Sequence, residues 1–163
     1  MGKLFATNET VFMRDYGLAT VTGYARGDHA GQVAEISANE APQFYLVRFE
    51  GGKATVPLAT ADDILRPLIS KSEALEFLEI LREKEVPVPD ENALIAQSKR
   101  ITGEGSAKEH AEFLRCLYSL NKEKHIHRAA IFLYEGLVLS ELALVLGESR
   151  EAIQTEMRKL HWQ

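Results

Sequence analysis

The chain lacks most of the features that would assign a chemistry directly. Cys116 is its only cysteine, so no internal disulfide can form, and its helical surroundings favour a core position over a reactive thiol. No run of about 18 apolar residues is present to span a bilayer, and residues 1–10 lack the apolar core of a signal peptide. We therefore expect a cytoplasmic protein that has no membrane partner.

An excess of positive charge is also missing. The 19 Lys and Arg residues are outnumbered by 24 Asp and Glu residues, which gives a net charge of -5 at pH 7. Residues 1–69 carry 6 basic and 8 acidic side chains, and residues 70–163 carry 13 and 16. Proteins that hold DNA mainly by neutralising phosphates usually have a basic face. The composition disfavours tight autonomous DNA binding but leaves room for a local basic patch.

No catalytic or metal-binding arrangement is evident. His125 and His127 have a spacing that could ligate a metal, but no Cys or further His lies nearby and the surrounding segment is cationic. Acidic pairs at helical spacing alternate with apolar residues, which is typical of a solvated face. Gly51–Gly52 precedes no helix that could hold a phosphate. We expect no enzyme, cofactor, metal or small-molecule substrate, and look for surfaces that bind macromolecules.

The hydrophobic period changes near Pro67. Before it, turn residues such as Gly17 and Gly51–Gly52 separate short β-type runs, which are Val11–Met13, Ala19–Val21, Phe44–Phe49 and Ala54–Leu58. Four or five short strands in residues 1–69 predict a small β-barrel of the Tudor or SH3 type.

After Ser70, apolar residues recur at helical spacing. Ser70 and Glu73 form a predicted capping box, and Leu75, Leu78 and Leu81 belong to the apolar stripe of the helix that follows. Further N-caps are predicted at Asp90, Ser106 and Ser149, and Gly147 is predicted to end a helix. We expect an α+β protein, with the β-barrel domain in residues 1–69 and an all-α bundle of about five helices in residues 70–163.

Residues 140–160 offer one specific alternative. The segment Glu141–Ile153 resembles the helix–turn–helix of many bacterial repressors and sigma factors in its apolar spacing and its Gly turn. A recognition helix must present base- and phosphate-contacting side chains at its start, whereas Arg150 stands here between Glu148 and Glu151. Two helices packed for structural reasons give the same pattern, so a helix–turn–helix regulator remains an alternative.

Several motifs occur in order along the chain. They are Phe5-x-x-Asn8-Glu9-x-Val11, Asp15-Tyr16-Gly17, Tyr45-Leu46-Val47 leading to Val56-Pro57, Leu65-Arg66-Pro67-Leu68, Ile101-Thr102-Gly103-Glu104, Ala111-Glu112-Phe113-Leu114-Arg115-x-Leu117 and Ser140-Glu141-Leu142-Ala143. Through them the chain resembles the CarD/CdnL family of bacterial transcription regulators. The family's amino-terminal domain also occurs in the transcription-repair coupling factor.

The resemblance implies that a Tudor-like domain adds a strand edge to the β subunit of RNA polymerase, while a helical domain touches promoter DNA and stabilises the open complex. We place the polymerase-binding surface on residues 45–50 and 53–56. The candidate contact residues are Arg26, Tyr45, Arg48, Lys53 and Thr55. The alternatives are a solvated strand face for the charged positions and a core position for Tyr45.

One departure from the family concerns DNA. The resemblance implies a Trp that wedges into the minor groove, followed by Arg residues, but here Pro89 aligns with the Trp, and Glu91 and Asn92 align with the Arg residues. Trp162 lies too far along the chain to replace it. DNA contact is expected to be weak or lost, with Lys99, Arg100, Lys108 and Arg115 as the candidates. A non-DNA-binding protein–protein adaptor built from the same two modules is the second hypothesis.

Overall fold

The chain divides into two compact units, Met1–Leu68 and Ile69–Gln163. A computed structural model describes residues 4–28, 31–83, 90, 92–93, 96–97, 100–101, 106–124 and 128–161. The first unit contains an antiparallel sheet of six strands, and the described part of the second contains four helices. The protein is therefore a mixed α+β protein, as the change of hydrophobic period predicts.

The strands of the first unit are β1 (Thr10–Met13), β2 (Gly17–Gly27), β3 (Val33–Ile36), β4 (Phe44–Phe49), β5 (Gly52–Pro57) and β6 (Leu65–Pro67). Their order in the sheet is β5-β4-β2-β1-β6, and β3 pairs with the second half of β2. Short 3₁₀ helices lie at Ala38–Glu40 and Leu58–Asp63. The prediction of four or five strands is wrong by at least one, because the three-residue β6 is too short to show a period of its own.

Tight turns build the two predicted hairpins. Met13 pairs with Gly17, whose φ of 90° favours glycine, and Phe49 pairs with Gly52 across a two-residue turn. Alternate strand residues then point inward and form one apolar cluster. The cluster comprises Val11, Met13, Ala19, Val21, Tyr24, Tyr45, Val47, Val56, Ala61 and Leu65.

The described helices are α1 (Lys71–Arg82), α2 (Ala107–Lys124), α3 (Arg128–Leu146) and α4 (Arg150–His161). Both bonds of the predicted capping box form at 3.1 Å between Ser70 and Glu73. The predicted N-caps at Asp90, Ser106 and Ser149 also accept backbone N–H groups, at 2.8, 3.2 and 3.0 Å. These caps are confirmed. The helix predicted after Asp90 is described at residues 92–93, 96–97 and 100–101, and these residues are helical.

The helices pack around a second apolar cluster. α1 contributes Phe77 and Leu81, α2 contributes Leu114, and α4 contributes Ile153 and Met157. The predicted stripe of α1 is correct except at Leu75, which is 50% exposed because it lies outside the face that α2 and α3 cover. None of the described helices combines the length and the apolar composition needed to span a bilayer.

Candidate functional site

Three described strands have a single partner in the sheet, namely β5, β6 and β3, and the edge of β5 is the one that the predicted surface includes. β5 pairs with β4 alone among the described strands, at one end of the strand order. The two-residue turn Glu50–Gly51 connects Phe49 to Gly52, which form the first hydrogen-bonded pair of the two strands. Beyond this pair, non-hydrogen-bonded and hydrogen-bonded pairs alternate, and Lys53 and Thr55 belong to the non-hydrogen-bonded ones. The backbone N–H and C=O groups of Lys53 and Thr55 therefore face away from β4. Such groups are what strand addition requires.

β4 is not an edge strand, which corrects part of the predicted surface. It lies between β2 and β5, and Val47 is opposite Val21 on one side and Ala54 on the other. Its backbone groups are occupied on both sides, so residues 45–50 cannot accept an added strand. The predicted edge is reduced to residues 53–56, and β4 contributes side chains only.

Two cations lie opposite each other beside the edge. Arg48 in β4 faces Lys53 in β5 in the register of the two strands, and both residues are exposed. Neither side chain has an ion pair or a hydrogen bond to another described residue. Like charges directly opposite each other destabilise a sheet. The predicted contact residues Arg48, Lys53 and Thr55 thus share one strand pair, where the two charges favour an anionic partner.

A shallow depression of about 370 Å³ lies next to Arg48. Thr10 pairs with Thr20 and Thr20 pairs with Arg48, so two hydroxyl-bearing residues and the cation lie side by side across β1, β2 and β4. The complete lining is Thr10, Leu18, Ala19, Thr20, Arg48, Phe49 and Glu50. The depression is lined more by apolar than by polar surface, and it extends from Arg48 across β2 to β1.

Arg26 lies far from the Arg48–Lys53 pair. It is near the end of β2, opposite Ala34 in β3, and its guanidinium donates a hydrogen bond to the Glu40 carbonyl oxygen at 3.1 Å. Thr20, which faces Arg48, is six positions earlier in β2, or about 20 Å along an extended strand. The structure therefore does not bring Arg26 together with the other predicted contact residues.

Tyr45 belongs to the core, which corrects its assignment as a contact residue. The residue is 4% exposed, its hydroxyl accepts a hydrogen bond from the Phe5 backbone N–H at 3.1 Å, and its ring lies 5.6 Å from the Phe5 ring. Burial raises the pKa of the Tyr45 hydroxyl, and the hydrogen bond from Phe5 opposes the shift. Tyr45 holds the N-terminal segment on the sheet, in agreement with the alternative that the sequence left open.

The predicted DNA-contacting cations of the helical unit are ion-paired. Arg100 contacts Glu109 at 2.5 Å, Lys108 contacts Glu76 at 3.7 Å, and Arg115 contacts Glu83. The Arg100 hydrogen bond holds the pKa of the Glu109 carboxyl below its usual range. Lys99 lies outside the described residues. Three of the four candidates thus have a carboxylate partner in their own unit.

A buried polar cluster joins three helices of the second unit. The Glu135 carboxylate on α3 accepts hydrogen bonds from the Tyr118 hydroxyl at 2.7 Å and the Gln154 amide at 2.5 Å, and it pairs with Arg158 at 3.3 Å. Burial and the neighbouring carboxylate raise the pKa of Tyr118 well above its usual value. Sequence reasoning missed this cluster, although a lone Glu inside the apolar run Phe132–Val138 was a usable signal.

The structure also has the connection that the helix–turn–helix alternative requires. α3 ends at Leu146, Gly147 adopts a φ of 69°, and α4 starts at Arg150 after the Ser149 cap. The Arg150 guanidinium donates a hydrogen bond to Ser140 Oγ at 3.3 Å, and Glu151 is exposed beside it. The start of α4 therefore combines one engaged cation with an exposed anion, an arrangement that does not favour phosphate contact.

Comparisons with known proteins assign no family. No protein-family model matches the chain, and no curated protein matches it. Within the residues that the structure describes, no group of three or more His, Cys, Asp or Glu side chains could hold a metal ion. The resemblance to the CarD/CdnL regulators therefore remains a prediction from the motifs, and the surfaces above are the basis for any proposal.

Proposed function

We propose that this chain is a transcription regulator that binds the β subunit of RNA polymerase by strand addition at β5 and modulates promoter open-complex formation. The first unit acts in this proposal as a small Tudor- or SH3-like barrel. The observation that carries the proposal is the open edge of β5, bordered by the exposed cations Arg48 and Lys53, which have no ion pair or hydrogen bond to another described residue. The edge supplies main-chain affinity, and the charges select an acidic partner.

The helical unit has a smaller role in this proposal. Its candidate DNA contacts Arg100, Lys108 and Arg115 already face carboxylates, so binding to promoter DNA is weak or absent. The same ion pairs favour a second candidate function, a protein–protein adaptor that binds no DNA. The lifetime of a promoter open complex, measured with and without the protein, separates the regulator from the adaptor.

The main-chain part of the proposal is tested by Thr55→Pro. Proline removes an N–H that faces the open edge and leaves the ladder between β4 and β5 intact, and proline is tolerated on edge strands in that orientation. We expect the variant to bind a purified polymerase β fragment about tenfold more weakly than the parent chain, because one intermolecular hydrogen bond is lost. Thr55→Ala is the matched control, since it keeps the N–H and should bind normally.

The electrostatic part is tested by the double variant Arg48→Glu/Lys53→Glu. We expect it to lose more than about tenfold in affinity for the same fragment, mainly at low salt. Lys71→Glu/Lys159→Glu changes the net charge equally at exposed positions of the helical unit and should have no comparable effect. Undiminished binding by both the double variant and Thr55→Pro would refute polymerase binding through β5.

A further inference from the structure

α1 and α2 are connected by two ion pairs with matching spacing. Glu76 Oε1 lies 3.7 Å from Lys108 Nζ, and Glu83 accepts a hydrogen bond from Arg115. The basic residues are seven positions apart in α2, which is two helical turns or about 10 Å. The acidic residues are also seven positions apart, Glu76 within α1 and Glu83 at the residue that follows its last turn. Because both residue numbers rise together, the helices run parallel here, with one carboxylate-bearing face against one cationic face.

The exposure of the four side chains shows which charge faces solvent. Lys108 and Glu76 are 53% and 59% exposed. Arg115 is only 15% exposed, while its partner Glu83 is 57% exposed. Arg115 Nε is buried without a partner among the described residues, and Nη1 donates to Glu83. The Glu83 carboxylate is therefore the more exposed member of the pair, and it engages Nη1 of a side chain that is mostly buried.

We propose that α1 and the residue that caps its C-terminus form an intramolecular charge mask, in which Glu76 and Glu83 pair with the α2 cations that would otherwise contact DNA phosphates. Carboxylate and phosphate oxygens accept hydrogen bonds from the same Lys and Arg donors, so the two groups compete for one site. Without these carboxylates, Lys108 and Arg115 would bind the phosphate backbone of duplex DNA, with no preference for sequence. The inference deepens the proposed function by explaining weak promoter contact, but binding to free DNA requires no polymerase.

The test is the binding of the full chain to a random-sequence DNA duplex, with Glu76→Gln/Glu83→Gln compared with the parent. Glutamine keeps the size of each side chain and removes its charge. Two released phosphate-binding cations should steepen the dependence of log affinity on log salt by about 1.8. The gain in affinity at about 50 mM salt should therefore fall about tenfold by about 200 mM.

Glu35→Gln/Glu40→Gln is the matched control. It changes the net charge by the same amount at exposed residues that have no ion pair with the described residues. An equal gain in this control would show that net charge alone is responsible and would overturn the mask. No gain in Glu76→Gln/Glu83→Gln would overturn it as well.

A second variant locates the gain on α2. Adding Lys108→Gln and Arg115→Gln to the Glu76→Gln/Glu83→Gln variant should return DNA affinity to the parent level. A gain that persists would show that Lys108 and Arg115 are not the phosphate-binding residues. Should the double variant unfold, Glu76→Gln alone carries the test, with a slope change of about 0.9, because both members of that pair are more than half exposed. Binding to the polymerase fragment should not change in any of these variants. The charge mask and strand addition at β5 can therefore be refuted independently of each other.

Discussion

The β unit and the helical unit treat positive charge differently. In the helical unit, cations pair with carboxylates of the same unit at five described positions, which are Arg82, Arg100, Lys108, Arg115 and Arg158. In the β unit, Arg48 and Lys53 lie opposite each other and have no partner among the described residues. A paired charge supports local structure, whereas two opposed like charges are relieved by an anionic ligand. The difference favours the β unit as the binding surface.

The largest effect is expected where a pair is buried. Replacing Glu135 by Ala should destabilise the helical unit by about 2–3 kcal/mol, because Tyr118 and Arg158 lose their acceptor inside the core. Chemical denaturation followed by circular dichroism measures the change. Glu148→Ala is the exposed control and should stay within about 0.5 kcal/mol of the parent. A loss of similar size in the control would show that Glu135 has no special role.

An effect of intermediate size is expected at alkaline pH. The pKa of Tyr118 is raised by burial and by Glu135, whereas that of Tyr45 in the β unit is raised mainly by burial. A group whose pKa is higher in the folded state contributes stability below its unfolded pKa of about 10 and loses it as pH rises further. Stability should therefore fall above about pH 10, by up to about 1.4 kcal/mol per pH unit for such a group.

Denaturation curves between about pH 9 and 11.5 measure this slope. Tyr118→Phe should flatten it more than Tyr45→Phe, because Tyr118 is completely buried beside a carboxylate. If Tyr45→Phe flattened the slope equally, the two units would not differ in how strongly they hold the tyrosine proton.

The smallest effects should have opposite signs in the two units. Arg115→Ala should destabilise the protein by about 1 kcal/mol, because a mostly buried side chain loses its packing and its ion pair. Arg48→Thr should instead stabilise it by about a few tenths of a kcal/mol, since it removes a like charge opposite Lys53 and places a β-branched residue in a strand. Thermal denaturation at low salt measures both changes. The same sign for both would contradict the distinction between the units.

Local signals in the sequence predicted local structure well. The caps at Ser70, Asp90, Ser106 and Ser149 depend on a side chain and a backbone N–H three residues later, so the sequence alone contains both partners. The hairpin turn at Gly17 is similarly local, because it needs a residue that tolerates positive φ. Such interactions can be read from the sequence before the fold is known.

The candidate surface was only partly predictable. The pair Arg48 and Lys53 follows from a hairpin of known turn length, and both residues were among the predicted contacts. β4 is not an edge strand because it pairs with β2, and the sequence alone does not show that pairing. Tyr45 is buried because Phe5 and Tyr24, from distant parts of the chain, pack against it. Residues that are far apart in sequence decided both corrections.

The sequence by itself determined where the capped helices start, where the two predicted hairpins turn, and therefore the α+β character, because capping and turn formation involve neighbours along the chain. Only the tertiary structure decided which strands have an open edge, which cations are neutralised, and that Glu135 is buried. Those properties depend on which distant groups come within a few ångströms of each other. Hydrophobic periodicity predicts the face of the strand or helix on which a residue lies, but not the partner that it contacts there.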